Sequence, residues 1–282
     1  MSSLEYNQEF VWLNDELLPL ELARVSVNDR GFLYGDGLFE TLKVEAGRVQ
    51  FLAEHLERLA ASARTFRLPF PENIPWQERL AQLLTANGLS QGPARVKILL
   101  SRGEAPGLGL PEECRPTLVI YAQPYTLPPP EEYAAGWPVV VFPEGRSTFV
   151  GRHKSLNYLF YLAARQYALD RGAKEALILE ADGLVSEGAA TSLVYRNQGR
   201  YYTPASASAL PGVTLTVLGL GLAARGLTLK THPTTVAQLQ EADGLWLANS
   251  LMGLMPVASV NGRPAPLSPA TAFLQEVLAD MI

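Results

Sequence analysis

The sequence predicts an α+β fold in two domains. Three observations carry that expectation. Short alternating or apolar runs suited to strands are mixed with helix-periodic segments, without a strict strand-helix-strand cycle. No segment repeats another, and no tract is of low complexity. The one break in composition, Gln123 to Glu132 with Pro124 and the run Pro128-Pro129-Pro130, separates a domain over 1–122 from one over 134–282, with a linker at 123–133.

With 282 residues, 48% of them hydrophobic and 18% charged, the chain can bury real cores. A net charge of -5 with scattered Lys and Arg leaves no basic footprint for nucleic acid, so the expected partner is a small molecule. The single cysteine, Cys114, cannot close an internal disulfide and fits a reducing compartment. No CxxC or HExxH pattern suggests a metal. Met1-Ser2-Ser3-Leu4-Glu5 shows no basic run followed by an apolar one, and no apolar stretch reaches the length of a membrane span, so a cytoplasmic protein without an anchor is expected.

In order, Glu9 to Leu13 alternates as a strand does, Asn14-Asp15 is a turn and Leu17 to Leu20 a short return, so a hairpin opens the fold. Gly31, Gly35 and Gly37 crowd with Asp29 and Asp36 into a bend before the alternating strand Phe39 to Val44, where backbone can approach another group closely. Ala53 to Ala63 is an amphipathic helix with Leu56, Leu59 and Ala60 as its buried stripe. A helix over Trp76 to Asn87, the apolar strand Arg95 to Leu100, a loop through Gly107-Leu108-Gly109 and the strand Thr117 to Tyr121 complete this half.

Trp137 to Phe142 is a strand. Lys154 then opens a helix to about Arg171, with Leu156, Leu159, Phe160, Ala163 and Ala164 at core-facing spacing, and Gly172-Ala173 ends it. Glu175 to Leu179 and Leu184 to Glu187 flank an Asp182-Gly183 turn, and Thr191 to Tyr195 and Arg200 to Thr203 flank another. Leu210-Pro211-Gly212-Val213-Thr214 opens a helix to about Ala224 whose first amides can hold an anion. A helix over Val236 to Glu241, the strand Leu245 to Ala248, a loop over Asn249 to Pro256, the strand Val257 to Val260 and a helix from Ser268 close the chain.

Three residues stand out. Lys154, ahead of an apolar stripe, is either a snorkelling flank of its helix or a covalent anchor for an aldehyde cofactor. Arg58 reads as a solvent-facing partner of Glu54, four residues earlier, or as a planar fork for phosphate. Glu187, beside Gly188, is by itself a turn carboxylate.

Six segments in order span nearly the whole chain: Asp29-Arg30-Gly31-Phe32-Leu33-Tyr34-Gly35-Asp36-Gly37-Leu38-Phe39-Glu40, His55-Leu56-Glu57-Arg58-Leu59, Lys154-Ser155-Leu156-Asn157, Ser186-Glu187-Gly188, Gly212-Val213-Thr214 and Asn249-Ser250-Leu251-Met252. Together they resemble the fold-type IV, class IV aminotransferase-like enzymes, which depend on pyridoxal 5'-phosphate (PLP). That group holds branched-chain aminotransferases, D-amino-acid aminotransferases and 4-amino-4-deoxychorismate lyases. The resemblance implies the two-domain D-amino-acid aminotransferase-like architecture. It also implies that Lys154 anchors the cofactor and moves the proton, that Glu187 keeps the pyridine nitrogen protonated, and that Arg58 holds the phosphate. Gly212, Val213 and Thr214 add amides and a hydroxyl for the phosphate, Asn249 and Ser250 further polar contacts, and Tyr158 a bond to the ring hydroxyl. Tyr34 and Arg102 are the candidates on the substrate side.

Within the group, Asn249 to Val257 is similar to the matching segment of the lyases, and Gly107-Leu108-Gly109 lacks the arginine and histidine that D-amino-acid aminotransferases use for the substrate carboxylate. The resemblance thus implies a lyase of folate biosynthesis that converts 4-amino-4-deoxychorismate to p-aminobenzoate and pyruvate, the three-carbon fragment being expected to hydrolyse with release of ammonia. A branched-chain or other class IV aminotransferase is the alternative, and a non-catalytic PLP-binding module the third. Two positions depart from the pattern: Leu215 stands where an arginine often follows Gly-Val-Thr, and Leu108 where some lyases carry an arginine, which leaves Arg102 or Arg152 for the substrate carboxylate. Family members are dimers, so a homodimer is implied.

Overall fold

The computed structural model describes residues 9–282, so the leader-free start expected at Met1 to Glu5 lies outside the described residues. Two compact units result: the first runs to Thr126 and includes Lys154–Asn157, and the second holds Leu127–His153 and Tyr158–Ile282. The stretch 123–133, expected as a linker, carries the end of the strand Thr117–Pro124 and the start of the short helix Pro130–Ala135.

In the first unit the strands are β1 (Phe10–Leu13), β2 (Glu16–Pro19), β3 (Gly37–Glu45), β4 (Arg48–Val49), β5 (Ala94–Ser101) and β6 (Thr117–Pro124). They form one antiparallel sheet in the order β2-β1-β6-β5-β3-β4. Its helices are α1 (Arg30–Tyr34), α2 (Leu52–Thr65) and α3 (Trp76–Ala86). Alternation puts Leu42 and Val44 of β3, Val96, Ile98 and Leu100 of β5 and Leu118 and Ile120 of β6 in one core with Leu59 and Ala63 of α2 and Leu80, Leu83 and Leu84 of α3. The glycine-rich bend contains a helix that the sequence did not announce. Asp29 caps it by accepting from the Gly31 amide at 2.7 Å, and Gly35, at φ 67°, ends it in a conformation that side chains with a Cβ resist.

The segment expected to start a helix at Lys154 instead runs past β3 without helical structure and makes a single isolated β-bridge. β4 pairs only with Val44 and Glu45, so the beginning of β3 is open along that edge. There Leu38 pairs with Ser155, the Phe39 amide donates to the Lys154 carbonyl at 2.7 Å, and the Leu156 amide donates to the Gly37 carbonyl at 2.9 Å. A Cβ on Gly37 would lie 2.7 Å from Leu156 Cδ1 and 2.8 Å from the Leu100 carbonyl oxygen, so only glycine allows this approach.

The second unit has strands β7 (Trp137–Val141), β8 (Glu175–Leu179), β9 (Val185–Gly188), β10 (Ser192–Asn197), β11 (Arg200–Pro204), β12 (Leu229–His232), β13 (Gly244–Asn249), β14 (Gly253–Val260) and β15 (Arg263–Pro264). Its helices are α4 (Pro130–Ala135), α5 (Leu159–Leu169), α6 (Val213–Ala223), α7 (Val236–Gln240) and α8 (Ala270–Ala279). The sheet runs β12-β11-β10-β13-β14-β7-β8-β9, with β15 on β14. Parallel pairing at β11/β12, β14/β7 and β7/β8 is mixed with antiparallel pairing elsewhere, as an α+β fold allows.

Three expectations fail here for physical reasons. Because α5 starts only at Leu159, the phase counted from Lys154 does not carry into it: Leu159 is 79% exposed and Ala163 is exposed, while Ala164 and Ala168 are buried with Phe160, Tyr161 and Tyr167 packed around them. The loop expected over Asn249 to Pro256 shrinks to a turn, because Asn249 Oδ1 accepts from the amides of Leu251 and Met252 and lets β14 begin at Gly253. β12, exposed at Lys230, Thr231 and His232 and so without an alternating apolar face, was not foreseen. No helix among the described residues is long and apolar enough to cross a membrane.

Candidate active site

In the first unit, Lys154 and Arg58 attach to successive residues of β3. Lys154 bonds the backbone of Phe39 and places its Nζ 4.7 Å from the centroid of that ring. Lys97 Nζ lies 4.6 Å from the same centroid, and burial, then the nearby Arg95 charge, pushes the Lys97 pKa down. Arg58 forks onto Glu40: Nε donates to Oε1 at 2.8 Å and Nη2 to Oε2 at 2.6 Å. His55 Nδ1 lies 2.7 Å from Oε2, so helix residues three apart converge on one buried carboxylate.

Tyr34 and Arg102 belong to a second ionic group. Asp36 accepts from Arg30 Nε at 2.8 Å and from Arg102 Nε and Nη2 at 2.8 and 3.0 Å. Burial raises the Asp36 pKa, but bonds and charge from the two arginines outweigh it and hold the carboxyl below its usual range. Arg102 also donates to the carbonyls of Phe66 and Arg67 and is only 2% exposed. Its donors are thus directed at the fold, not at a substrate carboxylate. Tyr34 is exposed, with the Arg30 guanidinium 5.2 Å over its ring. Arg152 is exposed at the end of the turn Phe149–Arg152.

In the second unit the expected residues gather around 187–190. Glu187, 7% exposed, accepts from the Tyr161 hydroxyl and from the Leu210 amide. Tyr158 donates to the Ala189 carbonyl at 3.2 Å. Burial first, then the charges of Glu187 and Glu175, pushes the Tyr158 pKa up to about 12, so the phenol stays a donor at neutral pH. Asn249 Nδ2 donates to the Ala190 carbonyl at 3.3 Å, and the Ala190 amide donates to the buried Glu175 at 3.2 Å. The segment is therefore held from several elements. Ser250 is half-buried in the turn after β13.

Gly212, Val213 and Thr214 form the start of α6. Gly212 is its N-cap and offers no side chain to the first amides, whose usual acceptors do not exist at a helix start. A Cβ at Gly212 would fall 2.4 Å from Ser192 Oγ, and Thr214 Oγ1 is buried with no hydrogen-bond partner among the described residues. A native chain rarely buries a hydroxyl unsatisfied without a ligand to take it. Open amides, an unmatched hydroxyl and a cradle that any Cβ would fill suit a phosphate group. Among the described residues no cluster of histidine, cysteine and carboxylate side chains could hold a metal.

Sequence reasoning missed Glu40, His55 and Tyr161. Glu40 was within reach, because it shares strand parity with the buried Leu38 and Leu42.

A six-stranded antiparallel sheet, a mixed nine-stranded sheet and a lysine-bearing segment bonded to β3 define a fold-type IV architecture, and the chemistry such a fold serves is PLP-dependent. The chain belongs to the class IV aminotransferase family, whose model matches residues 37–260. It is similar to the aminodeoxychorismate lyase of Bacillus subtilis, 29% identical over 258 residues covering 89% of this chain and 86% of that one. Similarity is comparable to the D-alanine aminotransferase of Bacillus licheniformis, 28% identical over 96% of this chain and 98% of that one. It is 27% identical to branched-chain-amino-acid aminotransferase-like protein 2 of Arabidopsis thaliana over 94% of its own length, but spans only 48% of that relative. Among solved structures, the PLP-bound form of a hypothetical aminotransferase from Mycobacterium tuberculosis superposes with a TM-score of 0.83 at 25% identity, covering 97% of this chain and 98% of that one. PLP is the cofactor of this family, and the phosphate cradle at α6 fits it.

Proposed function

We propose that the chain is an aminodeoxychorismate lyase of folate biosynthesis, acting in the cytoplasm as a homodimer and converting 4-amino-4-deoxychorismate to p-aminobenzoate and pyruvate. The observation that carries this reading is the segment Asn249 to Val257, which resembles that of the lyases. Met252 and Met255 of the segment are buried, so Asn249, Ser250 and Leu251 are the part that remains half-exposed. The exposed Leu108, in place of a carboxylate-binding arginine or histidine, speaks against D-amino acids.

Bound PLP supplies an electron sink. In this reading Lys154 anchors the cofactor. Its Nζ would take the proton from the carbon bearing the substrate amine and return one to the departing three-carbon fragment. Glu187 holds the proton of the pyridine nitrogen, Arg58 and the start of α6 neutralise the phosphate, and Tyr158 donates toward the ring hydroxyl. Atom balance corrects the sequence expectation of ammonia: the only nitrogen of the substrate leaves in p-aminobenzoate, so pyruvate forms without it.

The test is to supply 4-amino-4-deoxychorismate to the PLP-loaded protein and follow both products. One p-aminobenzoate per pyruvate, no ammonia, and loss of turnover in Lys154→Ala are expected; absence of p-aminobenzoate sinks the proposal. The second reading, an aminotransferase, draws on the branched-chain and D-alanine relatives. It requires amino transfer to 2-oxoglutarate from an amino-acid panel.

A further inference from the structure

Within the second unit, Glu187 has a neighbour that the reaction has not yet used. The Tyr161 hydroxyl donates to Glu187 Oε1 at 2.7 Å, and the Leu210 amide donates to Oε2 at 3.0 Å. These donors come from different places, α5 and the loop before α6, so the carboxylate cannot turn about its axis without losing one of them. Tyr161 is itself fixed: its ring lies 5.1 Å from that of Tyr158 and 5.7 Å, edge-on, from that of Phe160. The Arg146 guanidinium sits 4.8 Å over the Tyr161 ring and 5.0 Å over the Phe160 ring. Arg146 Nη1 is buried and makes no hydrogen bond among the described residues.

We propose that Tyr161 is a positioning residue: its hydroxyl fixes the plane of Glu187 and, by donating to it, keeps the shared proton on the ring nitrogen of the cofactor. This rests on the reading of Glu187 as the partner of that nitrogen. A proton between a carboxylate and a pyridine resides on the more basic of the two, and a donor to the carboxylate stabilises its ionised form. Removing the hydroxyl makes Glu187 the better base and draws the proton off the ring. Burial, followed by the charge of Glu187 and the bond to it, pushes the phenol far above its ordinary pKa, so Tyr161 remains a donor wherever the enzyme works.

The experiment compares wild type, Tyr161→Phe and Glu187→Gln as holoenzymes loaded with PLP carrying a 15N label in the ring. The 15N resonance reports whether the ring nitrogen is protonated, independently of turnover. Tyr161→Phe is expected to move it toward the unprotonated position and to lower kcat about tenfold with KM changed by less than about twofold. A wild-type resonance in Tyr161→Phe beside a displaced one in Glu187→Gln overturns the inference and leaves Glu187 in its role. An unmoved resonance in Glu187→Gln removes Glu187 from the ring nitrogen, and the inference with it. Should Tyr161→Phe not fold, 3-fluorotyrosine at position 161, nearly isosteric and a stronger donor, is expected to keep the ring nitrogen protonated to a higher pH than in wild type; an unchanged or lower pH midpoint of the resonance overturns the proposal.

Discussion

Glu40 lies between Phe39 and Thr41 on β3 and shares a face with Leu38 and Leu42, so strand alternation alone carries it into the core. Burial pushes its pKa up, but hydrogen bonds and charge from His55 and Arg58 prevail and hold it at about 2, against 4.5 for an unperturbed glutamate. The folded chain therefore binds this proton less readily than the unfolded chain does. The stability so gained is fully present above pH 4.5 and is lost as pH falls through about 2. Glu40→Gln is expected to flatten the acid limb of apoprotein unfolding in that window. It should also cost on the order of 3 kcal/mol at neutral pH in urea titrations, because it leaves Arg58 with half of its fork. Lys154, Arg58 and Glu187 could be singled out in the sequence because the chemistry proposed for them is tied to residue type and order. The partners of Arg58 and Glu187 were not, since Glu40 is 18 residues from Arg58 and Tyr161 is 26 from Glu187, and only the folded chain sets those distances.

At the scale of an element, α6 was read closely, opening within Leu210 to Thr214 and reaching about Ala224 against the observed Val213–Ala223, because Pro211-Gly212 marks its start. Its unsatisfied hydroxyl leads to an expectation of opposite signs. Thr214→Val keeps the shape and deletes a buried oxygen without a partner, so the apoprotein should gain about 1 kcal/mol while PLP binding weakens roughly tenfold. Paired thermal melts and absorbance titrations with PLP read both quantities; equal loss in each would mean that the hydroxyl serves the fold and not the cofactor. Gly212→Ala should weaken PLP more severely, because its Cβ must displace Ser192 Oγ from 2.4 Å. Ser192→Gly in the same chain should restore part of the affinity. The start of α5 was misread because a non-helical segment bonded to β3 precedes it, and hydropathy does not distinguish such a segment from the first turn of a helix.

For the whole molecule, the α+β class followed from the mixture of segment types, whereas the sheet orders did not. β1 bonds β6 more than a hundred residues later, Val11 opposite Tyr121, and such non-local pairing leaves no short-range trace. One surface has a consequence for assembly. Val25, Val27, Phe32, Leu33 and Tyr34 are all exposed within ten residues, Val27 at 72% and Phe32 at 76%, and apolar groups this dense ordinarily meet a partner. Light scattering at micromolar concentration should give twice the chain mass of 30.7 kDa, and Phe32→Asp should halve it; a monomer in both cases refutes the homodimer. The segment Lys154–Asn157 sets a different limit, on dissection. A gene truncated after Thr126 would encode every element of the first sheet and still omit the piece that closes its open margin, leaving the Phe39 amide and the Gly37 carbonyl to water. The missing piece would also carry away Lys154, so the stretch up to Thr126 could not be made separately with both its hydrogen bonding and that amine intact.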